Sequence, residues 1–244
     1  MKDAHFSRTR PSTSPPLCTP MSHRMIMDAS CDTEEECEYF MIEEIVHITP
    51  ELLRTELEDL RNVDWTSIWS GPPHPGTPDV QRWCDRYGWK ALTTEFDLDV
   101  QTRHGNKLDL QSNGFWHPVV SVVADLWRAI SALPETKEEV VSLGVASWEN
   151  YLAQGTGVFG EPSWLRHSGS KDYPRAPYDG LWSRPRSSQD NPYRLACWDL
   201  RNPYDDSPII LLEQSVSLRT WQAAGGAGSS ARISFNAPRK LTRG

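Results

Sequence analysis

Apolar residues recur at helical spacing in two capped segments near the start of the chain's central region. Thr49-Pro50-Glu51 supplies an N-cap, a proline at the first helical position and an acid in the first turn. Leu53, Leu57 and Leu60 follow on one stripe. Thr77-Pro78-Asp79 repeats the device, with Val80, Trp83, Cys84 and Tyr87 behind it and Gly88 as the stop. The spacing predicts a helix in each place.

From Trp89 the period drops to two. Leu92, Thr94, Phe96, Leu98 and Val100 alternate with Thr93, Glu95, Asp97, Asp99 and Gln101, the pattern of a half-buried strand. His104-Gly105-Asn106-Lys107 reads as a turn and Leu108-Asp109-Leu110 as the return, which makes an antiparallel hairpin with a solvated, acidic face. Past Pro118, Val119, Val122, Val123, Leu126, Trp127 and Ile130 fall on one helical stripe, with a short strand over Val119 to Val123 as the rival reading. Glu135 to Gln154 reads as a helix ended by Gly155, with Val141, Val145, Trp148 and Leu152 along one side. Strand-like pieces follow at 180–183, 193–201, 209–213 and 216–221, and the last two are close enough to form a hairpin. The order of elements predicts an α+β fold: a single domain, with helices packed on one face of a mainly antiparallel sheet.

Tryptophan narrows the boundaries of that domain. All 11 lie between Trp65 and Trp221, and large indoles are placed where they can be buried. The Pro- and Ser-rich residues 1–40 are therefore expected to be a disordered extension, or to precede the true start of translation at Met41. Residues 41–224 are expected to form the α+β domain, and 225–244, opening Gly-Gly-Ala-Gly-Ser-Ser, a flexible basic tail.

Charge restricts the partners. Between Met41 and Ala224, 17 basic residues face 26 acidic ones, a balance of −9, whereas the last 20 residues hold four basic residues and no acid. An acidic body argues against nucleic acid, whose phosphates need basic contacts, and suits a basic protein partner. Five cysteines without C-x-x-C spacing indicate neither a disulfide framework nor a zinc site. With no secretory signal and no apolar run long enough to span a bilayer, the expected setting is cytoplasmic and away from membranes.

Candidate chemistry is sparse. Gly155-Thr156-Gly157-Val158-Phe159-Gly160 matches G-x-G-x-x-G, with Asp179 downstream, but a helix precedes it and Glu161-Pro162 follows. Dinucleotide binding needs a strand before the glycines and a helix after them, so a glycine-rich helix exit is the reading and no cofactor is expected. Glu95, Asp97 and Asp99 share one strand face with Asp109 on the returning strand. Carboxylates spaced by two can converge on a divalent cation for a hydrolase or transferase, or can form the water-facing side of the sheet. Cys84 and Cys197 fall in apolar stripes and are expected to be buried and inert. No nucleophile with an assignable base is found, and no catalytic residue is assigned. Aromatic residues in the second half, Trp182 and Trp198 among them, interleave with arginines, a composition enriched at protein contacts and also suited to stacking on sugars.

Arg86-Tyr87-Gly88-Trp89, Phe159-Gly160-Glu161-Pro162, Gly180-Leu181-Trp182 and Ser215-Val216-Ser217-Leu218-Arg219 together resemble a family of uncharacterised actinobacterial α+β domains, some of them similar to immunity proteins of polymorphic toxins. The resemblance spans Pro50 to Trp221, carries no catalytic residues, and implies a protein-binding role. The leading expectation is thus a non-enzymatic module occluding a basic toxin domain. Glu95, Asp97, Asp99, Asp109, Trp182 and Trp198 are its contact residues. A metal-dependent enzyme and a carbohydrate-binding module are the alternatives.

Overall fold

The computed structural model describes residues 22–26, 42–94, 98–112, 116–168, 170, 193–201, 206–217 and 226–238. Ten strands form one antiparallel sheet: β1 Ser22–Ile26, β2 Ile42–Val46, β3 Lys90–Ala91, β4 Leu98–Gln101, β5 Lys107–Ser112, β6 Val119–Ser131, β7 Trp164–His167, β8 Arg194–Asp199, β9 Ile209–Ser217 and β10 Ala227–Asn236. Among the described residues four α-helices accompany them: α1 Pro50–Leu60, α2 Trp65–Ser70, α3 Pro78–Asp85 and α4 Lys137–Phe159. The strands run β3-β4-β5-β6-β10-β9-β8-β7, and β2, carrying β1, joins the far half of β6. The α+β architecture with an antiparallel sheet is as expected.

Local chemistry accounts for the capped helices. Thr49 Oγ1 accepts a hydrogen bond from Leu52 N at 3.3 Å and Pro50 occupies N1. Thr77 precedes Pro78 as anticipated, but its hydroxyl donates to the His74 carbonyl at 2.8 Å instead of capping the helix. Gly88 follows α3 at φ +69°, a conformation that costs glycine little. The intervening α2 escaped the sequence pattern, although Asp64 caps it through Ser67 N at 3.2 Å.

The largest departures lie in the centre of the sheet. The stripe from Val119 to Ile130 is not a helix but the long strand β6. Valine-rich segments fit the pleat, where β-branched χ1 angles are unrestrained by a preceding turn. A bulge mimics the helical spacing. Asp125 pairs with Arg232 and Trp127 with Ala231, so Leu126 is the extra residue and both Leu126 and Trp127 are buried. The carbonyl of Leu126 then accepts from His47 N at 2.9 Å, Ile48 N at 3.1 Å and Tyr151 Oη at 3.3 Å. The expected hairpin from Ile209 onward is one continuous strand through Ser217, and 218–221 lie outside the described residues.

The flexible tail is also corrected. Ala227–Asn236 form β10, inserted between β6 and β9. Ala227, Ser229, Ala231, Ile233 and Phe235 are buried on the helix side and alternate with Gly228, Ser230, Arg232, Ser234 and Asn236. Small residues here serve close approach. A Cβ on Gly144 of α4 would collide with Ser229 Oγ and lie 2.5 Å from Gln214 Nε2. At the other end, Ser22–Ile26 of the expected N-terminal extension pair with Ile42–Val46.

α4 lies across β10, β6 and β9, with α1 packed against it. Trp148, Tyr151 and Val158 on α4 meet Trp127, Ile210, Leu212, Ile233 and Phe235 in the main core. A smaller cluster of Leu195, Cys197, Ile209 and Leu211 occupies the opposite face, with Trp164 against it. Among the described residues no helix is long and apolar enough to cross a membrane.

Candidate functional site

The β4–β5 hairpin forms, but β4 covers only Leu98–Gln101 of the expected 92–101: Leu92, Thr93 and Thr94 are not in a strand, and Leu92, expected on the apolar side, is exposed. Leu98 pairs with Leu110 and Val100 with Leu108, all buried, while Asp99 opposes Asp109 on the other face. Asp109 pairs in turn with Val123 of β6, so Asp125 continues the same face one step along. Asp99 takes an ion pair from Lys107 Nζ at 2.7 Å, and Gln111 Nε2 donates to Asp109 at 3.1 Å. The ammonium of Lys107 is held above its ordinary pKa, chiefly by that hydrogen bond; partial burial opposes the shift, and the charges of Asp99, Asp109 and Asp125 add to it. Further along the face Arg232 Nε bonds Glu213 at 2.6 Å.

Glu95 and Asp97 lie outside the described residues, as does Trp182. Among the described residues no three His, Cys, Asp or Glu side chains gather as metal ligands. Trp198 is corrected as a contact residue. It is 2% exposed, donates to the Gly160 carbonyl at 2.8 Å, and packs so tightly against Gly155 that a Cβ there would lie 2.7 Å from the ring. An indole held between a helix and the sheet core offers no face to a ligand.

The glycine motif resolves in the same contact. Gly155 and Gly157 belong to the last turns of α4, and Gly160 caps it at φ +81°. Both described cysteines are buried, and desolvation pushes each thiol up to about 12. Neither thiol should therefore react with a disulfide reagent at pH 8 until the protein is denatured. A rapid stoichiometric release of chromophore from the folded protein, traced to Cys84 or Cys197 by mass spectrometry, would contradict their placement.

A second surface is assembled only by the fold. A cleft of about 550 Å³ opens between α1, the Asn62–Asp64 loop, the end of α3 and the β4–β5 turn. Glu56 of α1 is only 3% exposed, yet it lines this cleft. Its Oε1 accepts from Asn106 Nδ2 at 2.7 Å and from the Thr102 hydroxyl, which ties the hairpin turn to α1. One turn on, Asp59 accepts from Arg103 Nε and Nη2 and lies 2.7 Å from His104 Nε2. Burial works against ionisation of Asp59, but the hydrogen bonds and charges of Arg103 and His104 prevail and hold it below the usual carboxylate range. Tyr87 and Trp89, with ring centroids 4.8 Å apart, form the aromatic wall, and Tyr87 Oη donates to Ser67 Oγ at 2.9 Å.

The sequence carries a legible sign of this site. Glu56 sits three residues after Leu53 and four before Leu60, on the buried face of α1. A carboxylate in that position needs polar partners, and those arrive from 46 and 50 residues away. Comparison with family models, with curated proteins and with solved structures finds no match to the chain.

Proposed function

We propose that the protein is a non-catalytic binding module for a basic protein, in its specific form an immunity-type partner that occludes a basic toxin domain. One observation supports this reading. The outward face of β4, β5 and β6 carries Asp99, Asp109 and Asp125 around Lys107, with Arg232 of β10 opposite Asp125 and Arg128 farther along β6, within a chain of net charge −8. Such a face raises the local concentration of a cationic partner and speeds its encounter. The likeness of several short segments to immunity-type domains agrees with it.

The test is association kinetics with the basic domains encoded in adjacent reading frames. In the triple variant D99N/D109N/D125N, association at low ionic strength should slow by about tenfold and lose most of its salt dependence. Dissociation should change less, because rim charges act mainly on encounter. A variant whose on-rate tracks salt just as the parent's does would remove this face from the reading.

A further inference from the structure

A polar layer interrupts the apolar face of the sheet that α4 covers. Arg194 of β8 and Gln214 of β9 are register partners, and both side chains stand on the α4 side. Next along that face Ala196 pairs with Leu212 and Trp198 with Ile210, all four in the main core. Gln214 is 0% exposed, yet its Oε1 has no hydrogen-bond partner among the described residues. The enclosed Nε of Arg194 has none either. An acceptor and a donor left unpaired in the interior are each costly, and here they belong to facing residues.

The local bonding says which way the amide is turned. Gln214 Nε2 donates to Ser229 Oγ of β10 at 3.2 Å, and Ser229 donates in turn to the Ser215 carbonyl at 3.2 Å. β10 and β8 flank β9 on opposite sides, so the nitrogen is engaged toward β10 and the oxygen is left for β8. Reversing the amide would aim its N–H donors at a guanidinium, which only donates. Arg194 is held as well. Its guanidinium lies over the Trp148 ring, 5.7 Å from the centroid, with Nη1 3.9 Å from Glu149 Oε1, which leaves Nε as the enclosed donor. Facing residues on adjacent strands have Cβ atoms about 4.5–5.5 Å apart, close enough for one water to reach both polar groups. Gly144 closes the space from above, since a Cβ there would lie 2.5 Å from Gln214 Nε2. The complement must therefore be small, and must accept from one group while donating to the other. We infer that an ordered internal water binds here, accepting from Arg194 Nε and donating to Gln214 Oε1, and that it keeps the guanidinium flat on Trp148. The site is separate from the acidic sheet face and does not depend on it.

A high-resolution crystal structure of the full chain tests this. It should show a solvent peak about 2.7–3.2 Å from both Arg194 Nε and Gln214 Oε1. In solution, the Arg194 Hε proton should exchange slowly with bulk water and show a nuclear Overhauser effect to a long-lived water. Gln214→Met keeps the length of the side chain but removes the acceptor, so that effect should vanish and Hε exchange should quicken by about tenfold or more. Thermal melting shows whether the variant folds; if it does not, the solvent peak in the parent decides. A direct hydrogen bond from Nε to Oε1, another protein group on either atom, or no solvent density between them would each overturn the assignment. So would unchanged Hε exchange in a folded Gln214→Met.

Discussion

Ending the chain at Gly225 should abolish folding. The deletion removes β10, which lies between β6 and β9 and hydrogen-bonds to both. Its loss splits the sheet into β1–β6 on one side and β7–β9 on the other, with two unpaired inner edges. Ile233 and Phe235, each 1% exposed, go with it, and burying side chains of that size contributes about 1.5–3 kcal/mol apiece. Trp127 and Leu212 lose their neighbours on β10, and α4 loses the strand it crosses most closely. Against a typical total stability of about 5–15 kcal/mol, this cannot be absorbed. Circular dichroism should show no cooperative melt and amide NMR resonances should collapse into a narrow band. A truncated chain with dispersed resonances and a sharp transition would mean that β10 is dispensable.

The second large effect is expected at the contact between Trp198 and Gly155. Trp198→Ala should cost about 3–5 kcal/mol, because a fully enclosed indole leaves a cavity and the Gly160 carbonyl loses its donor. In a domain of this size that lowers Tm by roughly 6–20 °C. Gly155→Ala acts from the other side. Its new methyl would lie 2.7 and 2.9 Å from two ring carbons, an overpacking worth about 1–3 kcal/mol, against a gain of about 1 kcal/mol in helix propensity. Combined with Trp198→Ala the clash disappears and only the propensity gain remains, so the same glycine substitution should become stabilising. Chemical denaturation of the four proteins in the cycle reads this change of sign directly. Effects that add within about 0.5 kcal/mol would mean that helix and indole do not press on each other.

Where local rules acted alone, the sequence was readable. Thr49-Pro50 opens α1 with a cap and a first-position proline and Pro78 opens α3 with the proline alone, because both devices depend only on neighbouring residues. The hairpin through Asp99 and Asp109 follows from strict alternation and a turn. The inert cysteines follow from their apolar stripes. Trp198 lies in a strand as expected but on the face that α4 covers, since aromatic composition does not say which face of a sheet receives a helix. Glu56 was legible as an acid on an apolar stripe, but its partners Thr102 and Asn106 come from a distant turn, which no window along α1 contains.

The chain's own pattern thus determined the capped helices, the acidic hairpin, the α+β class and the negative charge, all of which rest on interactions within a few residues. Tertiary structure decided that β6 is a strand, that a Gly- and Ser-rich segment is the sheet's interior β10, and that α1 closes a cleft with the β4–β5 turn. The physical reason is the same in each case. A bulge imposed by the neighbouring strand puts two successive residues inside and imitates a helical stripe, and a helix crossing within contact of a strand demands small residues there. Both constraints come from elements remote in sequence, so the residues that satisfy them look locally like something else.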